Sequence, residues 1–151
     1  KSDISPPPKL VLDYRERLEN CDIMFLISAC HNLRMDAILE NWIDWVLHPT
    51  WFFTYKSLIP GSKYFRNYGY PVAGAMKNKI GAVSITYGGP MISYFNFSIF
   101  DNIPYRRIKK SVFQLGGLKT KYLRFYSILP HMEQRDFEKH MNKVRKFARS
   151  L

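Results

Sequence analysis

The sequence predicts an α/β layered fold built on a parallel sheet, and three observations lead to that prediction. Apolar runs of strand length alternate with segments whose apolar residues recur at helical spacing. The first run, IMFLIS, is short and continuously apolar, as expected of a strand covered on both faces. The resulting order, α, β, α, β, α, β, α, is typical of helices packed on both sides of a parallel sheet. With 151 residues, 46% of them hydrophobic, the chain has enough apolar material for the core of one domain.

The first elements follow from local patterns. Residues 1–9 (KSDISPPPK) form a proline-rich lead-in, because consecutive prolines favour an extended backbone and lack amide donors. Residues 10–151 are predicted to form a single domain. Apolar residues at helical spacing predict a helix from Lys9 to about Asn20, and the first strand is predicted over Ile23–Ser28.

The second helix, AILENWIDWVL, is predicted from a start and a stop signal. Asp36 is placed to cap its first turn, and Pro49 stops it from continuing. The predicted apolar face of this helix consists of Ile38, Trp42, Trp45 and Val46.

The remaining elements are predicted in the same way. Residues 49–78 are expected to be a long aromatic loop, and loops of this length are usually functional or mobile. A second strand is predicted over Ile80–Tyr87, a basic helix over Ile103–Leu115 and a third strand over Tyr122–Leu129. A last helix begins near Glu133. Its predicted apolar face consists of Phe137, Met141, Val144 and Leu151.

Charge is distributed unevenly along the chain. The formal net charge is +11, with 10 Lys/Arg against 8 Asp/Glu in residues 1–100 and 13 against 4 in residues 101–151. The basic residues of this C-terminal third are interpreted either as solvated helix faces or as a surface for RNA, an anionic membrane surface or an acidic protein. They form three clusters: Arg106, Arg107, Lys109 and Lys110; Lys119, Lys121 and Arg124; and Lys143, Arg145, Lys146 and Arg149.

Cysteine and histidine spacing argues against two kinds of site. Cys21 and Cys30 flank a predicted strand, which would hold their Cα atoms beyond the disulfide limit of about 7 Å. A reducing, intracellular compartment is therefore expected. No Cys/His group has zinc spacing, so no metal site is predicted.

Three segments carry a family resemblance. DIMFLISACHNLRMDAILENWIDWVLHPTWFFTY (Asp22–Tyr55) has a strand, a loop, a helix and an aromatic stretch. AVSITYGGPMISY (Ala82–Tyr94) ends its strand in a glycine pair with a tyrosine beyond it, and FQLGGL is Phe113–Leu118. Together they resemble the flavodoxin-like NAD(P)H:quinone oxidoreductase family. The residues of the first segment that match without a gap are Ala37, Ile38, Leu39, Trp42, Asp44, Val46 and Tyr55.

The resemblance implies a flavodoxin-like three-layer α/β/α fold, present here in part, with FMN at the carboxyl ends of the parallel strands. It implies hydride transfer from NAD(P)H through the flavin to a quinone, usually in a homodimer. By resemblance, Tyr94 is the candidate catalytic residue, and Phe53 and Tyr55 line the quinone pocket. The implied flavin-binding residues are Thr86, Tyr87, Gly88, Gly89 and Tyr94, with Ala29, Cys30, His31 and Asn32 at the first flavin loop. The glycine pair is interpreted either as amides that approach the ring edge or only as a turn.

Departures from the family pattern fall on the same site. The first flavin loop, ACHN at residues 29–32, lacks the family's proline and tryptophan. The second threonine of the other loop is replaced by Tyr87. The position that often carries a catalytic histidine falls near Phe100, whose side chain can neither donate nor accept a proton. These departures predict an impaired flavin site.

The family begins with a strand and a loop that bind the FMN phosphate, and the sequence given starts after them. In the flavodoxin strand order that first strand lies beside the strand predicted at Ile23–Ser28. The Ile23–Ser28 strand is therefore expected to have an unpaired hydrophobic edge. The expected cover is a partner chain, an N-terminal portion of the protein or the proline-rich lead-in.

The leading hypothesis is a degenerate quinone-reductase-family domain that acts as an accessory or structural subunit. It predicts a protein partner on the Ile23–Ser28 edge, in a large complex or a homo-oligomer, and a mitochondrial location. FMN is expected only if the site is functional, and otherwise no cofactor is expected. Two alternatives stay open. One is an active FMN-dependent NAD(P)H:quinone oxidoreductase whose first strands lie outside this sequence or come from another chain, and the other is a basic RNA-binding structural protein.

Overall fold

The computed structural model describes residues 6–61, 69–94 and 103–151 and contains the predicted alternation of helices and strands. The helices span Lys9–Glu19 (α1), Ala37–Val46 (α2), Ile103–Arg106 (α3) and Gln134–Ala148 (α4). The strands span Ile23–Ala29 (β1), Phe53–Ser57 (β2), Gly69–Ala73 (β3), Ile80–Thr86 (β4) and Lys119–Phe125 (β5). A π-helical segment, Arg107–Gln114, continues α3, and a short 3-10 turn spans Met91–Tyr94.

Three strands form a parallel sheet in the order β1-β4-β5. Ile80 at the start of β4 lies opposite Ile23 of β1 on one side and Lys119 of β5 on the other. As the central strand, β4 is the most buried, and Val83 and Ile85 are fully enclosed. The prediction of an α/β fold with a parallel sheet is confirmed.

Helices cover both faces of this sheet. Successive side chains of β1 alternate between the faces. Ser28 accepts a hydrogen bond from the backbone amide of Asp36 at the start of α2, whereas Phe25 on the opposite face contacts the ring of Phe147 in α4. The described elements therefore form part of a three-layer α/β/α arrangement.

The prediction of a long loop over residues 49–78 is partly wrong, because β2 and β3 pair there as an antiparallel hairpin. Phe53 is the only residue of either strand that is buried, so the period-2 hydrophobic pattern of a half-buried strand is missing from the sequence. Pro71 lies within β3, which pairs only with β2 among the described strands, and proline is permitted in such an edge strand.

The third strand was predicted too late in the chain, over Tyr122–Leu129 instead of Lys119–Phe125. Its lysines do not look strand-like in sequence, but β5 lies beside only β4 in the described structure, and most of its side chains are half exposed. The chain leaves the sheet after Phe125, and Ser127 has a positive φ of 55°.

The predicted apolar faces of two helices also need correction. In α2 the buried residues are Ile43 and Val46, whereas Ile38 and Trp45 are exposed. In α4 no residue is fully buried, and Phe137 is exposed. The reason is that helical spacing locates an apolar stripe, but the neighbouring layers decide how much of that stripe is covered. The predicted Asp36 cap is confirmed by a 2.9 Å hydrogen bond from the Leu39 amide.

Within the described residues, no helix is both long and apolar enough to cross a membrane.

Candidate functional site

The sheet brings the two predicted flavin loops together at one edge. Ala29 at the end of β1 lies opposite Thr86 at the end of β4, and because these strands are parallel, both loops leave the sheet on the same side. The Cys30 amide donates to the Thr86 carbonyl at 2.8 Å, which extends the pairing beyond the strand. In open α/β sheets this carboxyl edge is where ligands bind.

The loop after β1 is closed on itself. His31 and Arg34 exchange two backbone hydrogen bonds of 2.8 Å, and the two residues between them, Asn32 and Leu33, have positive φ angles of 47° and 63°. This is the geometry of a tight two-residue turn. The amides of His31 and Arg34 are therefore engaged within the turn and are not available to a ligand. Burial raises the pKa of the neighbouring Cys30 thiol, which favours its protonated, weakly nucleophilic form.

The loop after β4 is organised around buried tyrosines. Tyr87 is 0% exposed, and its hydroxyl lies 2.7 Å from the hydroxyl of Tyr122. The Tyr87 ring stacks on Tyr126, with centroids 5.0 Å apart and an interplanar angle of 18°. Tyr94 is 8% exposed, and the centroid of its ring lies 4.4 Å from that of the Tyr87 ring. We call Tyr87, Tyr94, Tyr122 and Tyr126 the tyrosine cluster. Burial raises the pKa of both Tyr87 and Tyr122, so this hydroxyl pair is neutral at physiological pH.

The glycine pair lies beside this cluster. A Cβ built on Gly88 would meet no atom of the described residues within 4 Å, so they leave the space at Gly88 open. A Cβ on Gly89 would lie 3.1 Å from the Tyr94 hydroxyl, so the Tyr94 ring covers one side of Gly89. Within the described residues, no backbone carbonyl accepts a hydrogen bond from the amide of either glycine.

The two loops therefore differ in how well they fit a flavin. The open space at Gly88, and the amides of Gly88 and Gly89 that no described carbonyl engages, suit the polar edge of a flavin ring. The closed turn after β1 does not offer matching donors. Of the two loops, only the one after β4 therefore offers backbone donors that fit a flavin.

Phe53 and Tyr55, predicted to line the quinone pocket, lie on β2 of the hairpin. Phe53 belongs to the hydrophobic core, whereas Tyr55 is 64% exposed. Their rings meet edge to face at 5.5 Å. Phe100, the position of the missing histidine, lies outside the described residues.

Sequence reasoning missed Tyr122 and Tyr126 as members of this site. A signal was available, because the carboxyl end of the last parallel strand must reach the same edge as those of β1 and β4. The misplaced boundary of β5 concealed it, since a strand continuing to Leu129 would have put Tyr126 inside the sheet.

A cavity of about 560 Å³ lies between α4 and the segment that follows β5. Its lining includes His131, Asp136, His140 and Lys143. Burial, followed by the charge of Lys143, lowers the pKa of His140, whose Nδ1 has no hydrogen-bond partner within the described residues. Among all the residues that the structure describes, no three His, Cys, Asp or Glu side chains are placed to hold a metal ion.

Comparison with known families decides the classification. A family model described as "Flavodoxin-like fold" matches residues 3–148, which is nearly the whole chain. The chain belongs to the flavodoxin-like fold family. No curated protein sequence matches it.

Solved structures share the flavodoxin-like fold at low sequence identity. A putative quinone reductase from Klebsiella pneumoniae has a TM-score of 0.73 at 21% identity, covering 92% of this chain and 53% of that one. An NAD(P)H:quinone oxidoreductase from Methanothermobacter marburgensis has a TM-score of 0.69 at 14% identity, covering 95% and 66%.

An FMN-dependent NADH-azoreductase from Bacillus anthracis, solved in complex with FMN, has a TM-score of 0.67 at 14% identity, covering 93% and 61%. The chain thus spans between 53% and 66% of the length of these three flavodoxin-like structures. These structures share the fold of this chain over that part of their length.

Proposed function

We propose that this chain is a domain of the quinone-reductase type whose flavin site is impaired, and that it acts as an accessory or structural subunit of a larger assembly. The observation that carries the proposal is the position of Tyr94. A catalytic hydroxyl must reach the reacting atoms. Here the Tyr94 ring is nearly buried, packed between Tyr87 and Gly89.

Two further features support this proposal. Tyr87 replaces the family's second threonine and supplies the ring on which Tyr94 packs. The closed turn of residues 31–34 replaces the family's proline and tryptophan loop. Both changes turn groups that would face a ligand toward the protein itself.

One observation favours the alternative of an active FMN-dependent NAD(P)H:quinone oxidoreductase. Gly88 and Gly89 keep amides that no described carbonyl engages, and the space at Gly88 is open. FMN in a working site would be held there by backbone donors, with its phosphate bound by residues beyond this chain. Solved structures of the same fold that are named as quinone reductases or as FMN-dependent also support this alternative.

The deciding measurement is the flavin content of the full-length protein. The complete gene product is purified without added flavin, its mass is determined, and its absorbance near 450 nm is recorded before and after incubation with FMN. Oxidation of NADH and NADPH is followed with a quinone acceptor. Our proposal predicts far less than one FMN per chain and no flavin-dependent turnover. One FMN per chain with turnover would overturn it and establish the alternative.

The variant Gly88→Ala tests whether FMN binds at the glycine pair itself. A methyl group at this position meets no atom of the described residues within 4 Å, so the variant should fold like the wild type. If FMN approaches the glycine amides, the added methyl group weakens FMN binding; if the site is impaired, weak FMN affinity stays unchanged. Thermal unfolding of both proteins without flavin serves as the control for folding.

The proposed location is a reducing compartment, in keeping with the free thiols of Cys21 and Cys30. A mitochondrial address stays a prediction.

A further inference from the structure

Strand β5 pairs with β4 on one side, and none of the described strands pairs with it on the other. At the start of the pairing, the Lys119 amide donates to the Lys79 carbonyl at 2.9 Å. In a strand the amide and the carbonyl of one residue point to the same side, so the odd-numbered residues of β5 face β4. The even-numbered residues direct their backbone groups outward, and these residues are Thr120, Tyr122 and Arg124. We call this outward side of the strand, with its side chains, the β5 edge.

The β5 edge carries cations on both faces of the sheet. Successive side chains alternate between the faces, so Lys119 and Lys121 share one face. This is the α4 face, because the Lys121 ammonium donates to the Ser150 carbonyl just beyond the end of α4. Arg124 lies on the opposite face, where its guanidinium lies 5.8 Å from the ring centroid of Tyr105 in α3. An extended segment along this edge would therefore meet positive charge on either side.

This positive charge is not neutralised by neighbouring acids. Residues 103–132 contain no Asp or Glu. Among the described residues, no carboxylate forms an ion pair with Lys119, Lys121 or Arg124. A further cation lies on the α3 side, since the Lys109 ammonium is 5.5 Å from the ring centroid of Tyr105. The β5 edge is thus suited to a partner that brings carboxylates or phosphates.

The outward backbone groups distinguish between these two kinds of anion. A peptide strand supplies amides for the carbonyls of the β5 edge and carbonyls for its amides. The phosphates of a nucleic acid accept hydrogen bonds but donate none, so they would leave the outward carbonyls unpaired. A second copy of this edge would bring the same cations and be repelled. Lysines at a sheet edge hinder pairing with other basic or neutral strands, but they attract an acidic one.

We propose that the β5 edge binds an extended acidic segment of another protein by strand addition. The backbone of that segment pairs with the outward groups of β5, and its carboxylates lie beside Lys119 and Lys121 on one face and Arg124 on the other. The proposal goes beyond the proposed function. It concerns the side of the sheet rather than its carboxyl edge, and it does not depend on whether FMN binds.

A pair of peptides of equal charge tests for strand addition. The first, fluorescein-labelled ETETETE, has the seven-residue length of β5. The second, ETEPPEE, has the same number of glutamates, but its adjacent prolines remove amide donors on both sides of the strand. With the full-length protein, ETETETE should bind saturably in fluorescence anisotropy, more weakly as salt is added, and ETEPPEE should bind about tenfold more weakly or less tightly still. Equal binding of the two peptides, or no saturable binding of ETETETE, would overturn the proposal.

A matched pair of variants tests the position. Lys119→Gln/Lys121→Gln removes two charges from the β5 edge, whereas Lys9→Gln/Lys56→Gln removes two from exposed positions in α1 and β2. The edge variant should bind ETETETE about three- to tenfold more weakly than the wild type, because two ion pairs are lost. The control variant should change the affinity by less than about twofold. Equal losses would show that net charge alone attracts the peptide, and thermal unfolding checks that both variants are folded.

Hydrogen exchange of single amides locates the bound peptide. The amides of Lys121 and Leu123 face β4 and act as an internal reference. Saturation with ETETETE should slow exchange of the outward Tyr122 and Arg124 amides by about tenfold or more and leave the reference unchanged. Unchanged exchange of the outward amides would contradict strand addition. A single-stranded oligothymidylate that binds more tightly than ETETETE without protecting them would assign the edge to nucleic acid and overturn the assignment to a peptide.

Discussion

At the scale of single residues, Tyr87 links several parts of the candidate site. Its hydroxyl pairs with that of Tyr122, and its ring supports both Tyr94 and Tyr126. One residue that departs from the family pattern thus connects the loop after β4 to β5 and its following turn. The candidate catalytic tyrosine is held in place by packing on that residue.

The hydroxyl pair gives a prediction that a double-mutant cycle can check. Tyr87→Phe leaves the part-buried Tyr122 hydroxyl without this partner, and we expect a loss of about 1–2 kcal/mol in the free energy of unfolding. Tyr122→Phe should behave similarly. The double variant should cost less than the sum, since it leaves no unpaired hydroxyl. Urea unfolding of the four proteins measures the coupling, and strictly additive losses would show that the pair contributes nothing.

At the scale of elements, the start of α2 is fixed by a cap that also ties the helix to the sheet. The Asp36 carboxylate accepts from the Leu39 amide, as a cap does, and from the Ser28 hydroxyl of β1. A comparable tie holds the end of α1, where the Lys79 ammonium donates to the carbonyls of Leu18, Glu19 and Cys21 at 2.6–3.0 Å. Local capping signals thus position helices relative to strands.

The Asp36 cap predicts a specific pH dependence. The hydrogen bond from Leu39, followed by that from Ser28, lowers the pKa of the Asp36 carboxyl. A lowered carboxyl pKa gives stability that is present above the unfolded value of about 3.9 and is lost as the pH falls through the folded pKa. Asp36→Asn keeps an acceptor, so its stability at pH 7 should be close to wild type, but it should lose less between pH 7 and pH 3.

Asp36→Ala provides the control for the cap itself. Without an acceptor it should lose about 0.5–2 kcal/mol at pH 7. Denaturant unfolding at both pH values separates the two effects. An equal acid loss in the wild type and in Asp36→Asn would show that this carboxyl does not contribute to the pH dependence.

At the scale of the whole molecule, the net charge of +11 is carried mainly by its C-terminal third. Some of that charge has internal partners. Arg107 of the π-helical segment forms an ion pair with Glu40 of α2, and the Arg124 guanidinium lies over the rings of Tyr105 and Tyr122. In contrast, Lys146 and Arg149 at the end of α4 are exposed.

This distribution predicts where a polyanion would bind. Lys146→Glu/Arg149→Glu should weaken retention on a heparin column more than Lys56→Glu/Lys77→Glu, which makes the same change in net charge at exposed sites outside the C-terminal third. The wild-type affinity should fall steeply with salt, because phosphate or sulfate contacts release counterions. Equal losses in the two variants would show that net charge alone governs retention and that the C-terminal third is not a binding surface.

The sequence determined the local structure and its order. The apolar run of β1, the cap at Asp36 and the glycines after β4 each act within a few residues, so helix type, strand type and the parallel α/β class could be predicted from short-range pattern. The family resemblance added the expected carboxyl edge and the candidate loops. The hairpin of β2 and β3 escaped prediction because exposed strands carry no hydrophobic period.

Only the tertiary structure decided how the candidate site is arranged. The partners of Tyr87 lie on elements distant in sequence, with Tyr122 35 residues away, and no local pattern specifies that their hydroxyls meet. The same holds for the apolar groove beside β1, whose walls come from α1, α2 and β1. Helix and strand geometry is set by neighbours along the chain, whereas side-chain packing is set by whichever layers the fold brings together, and that is why the elements were predictable and the site was not.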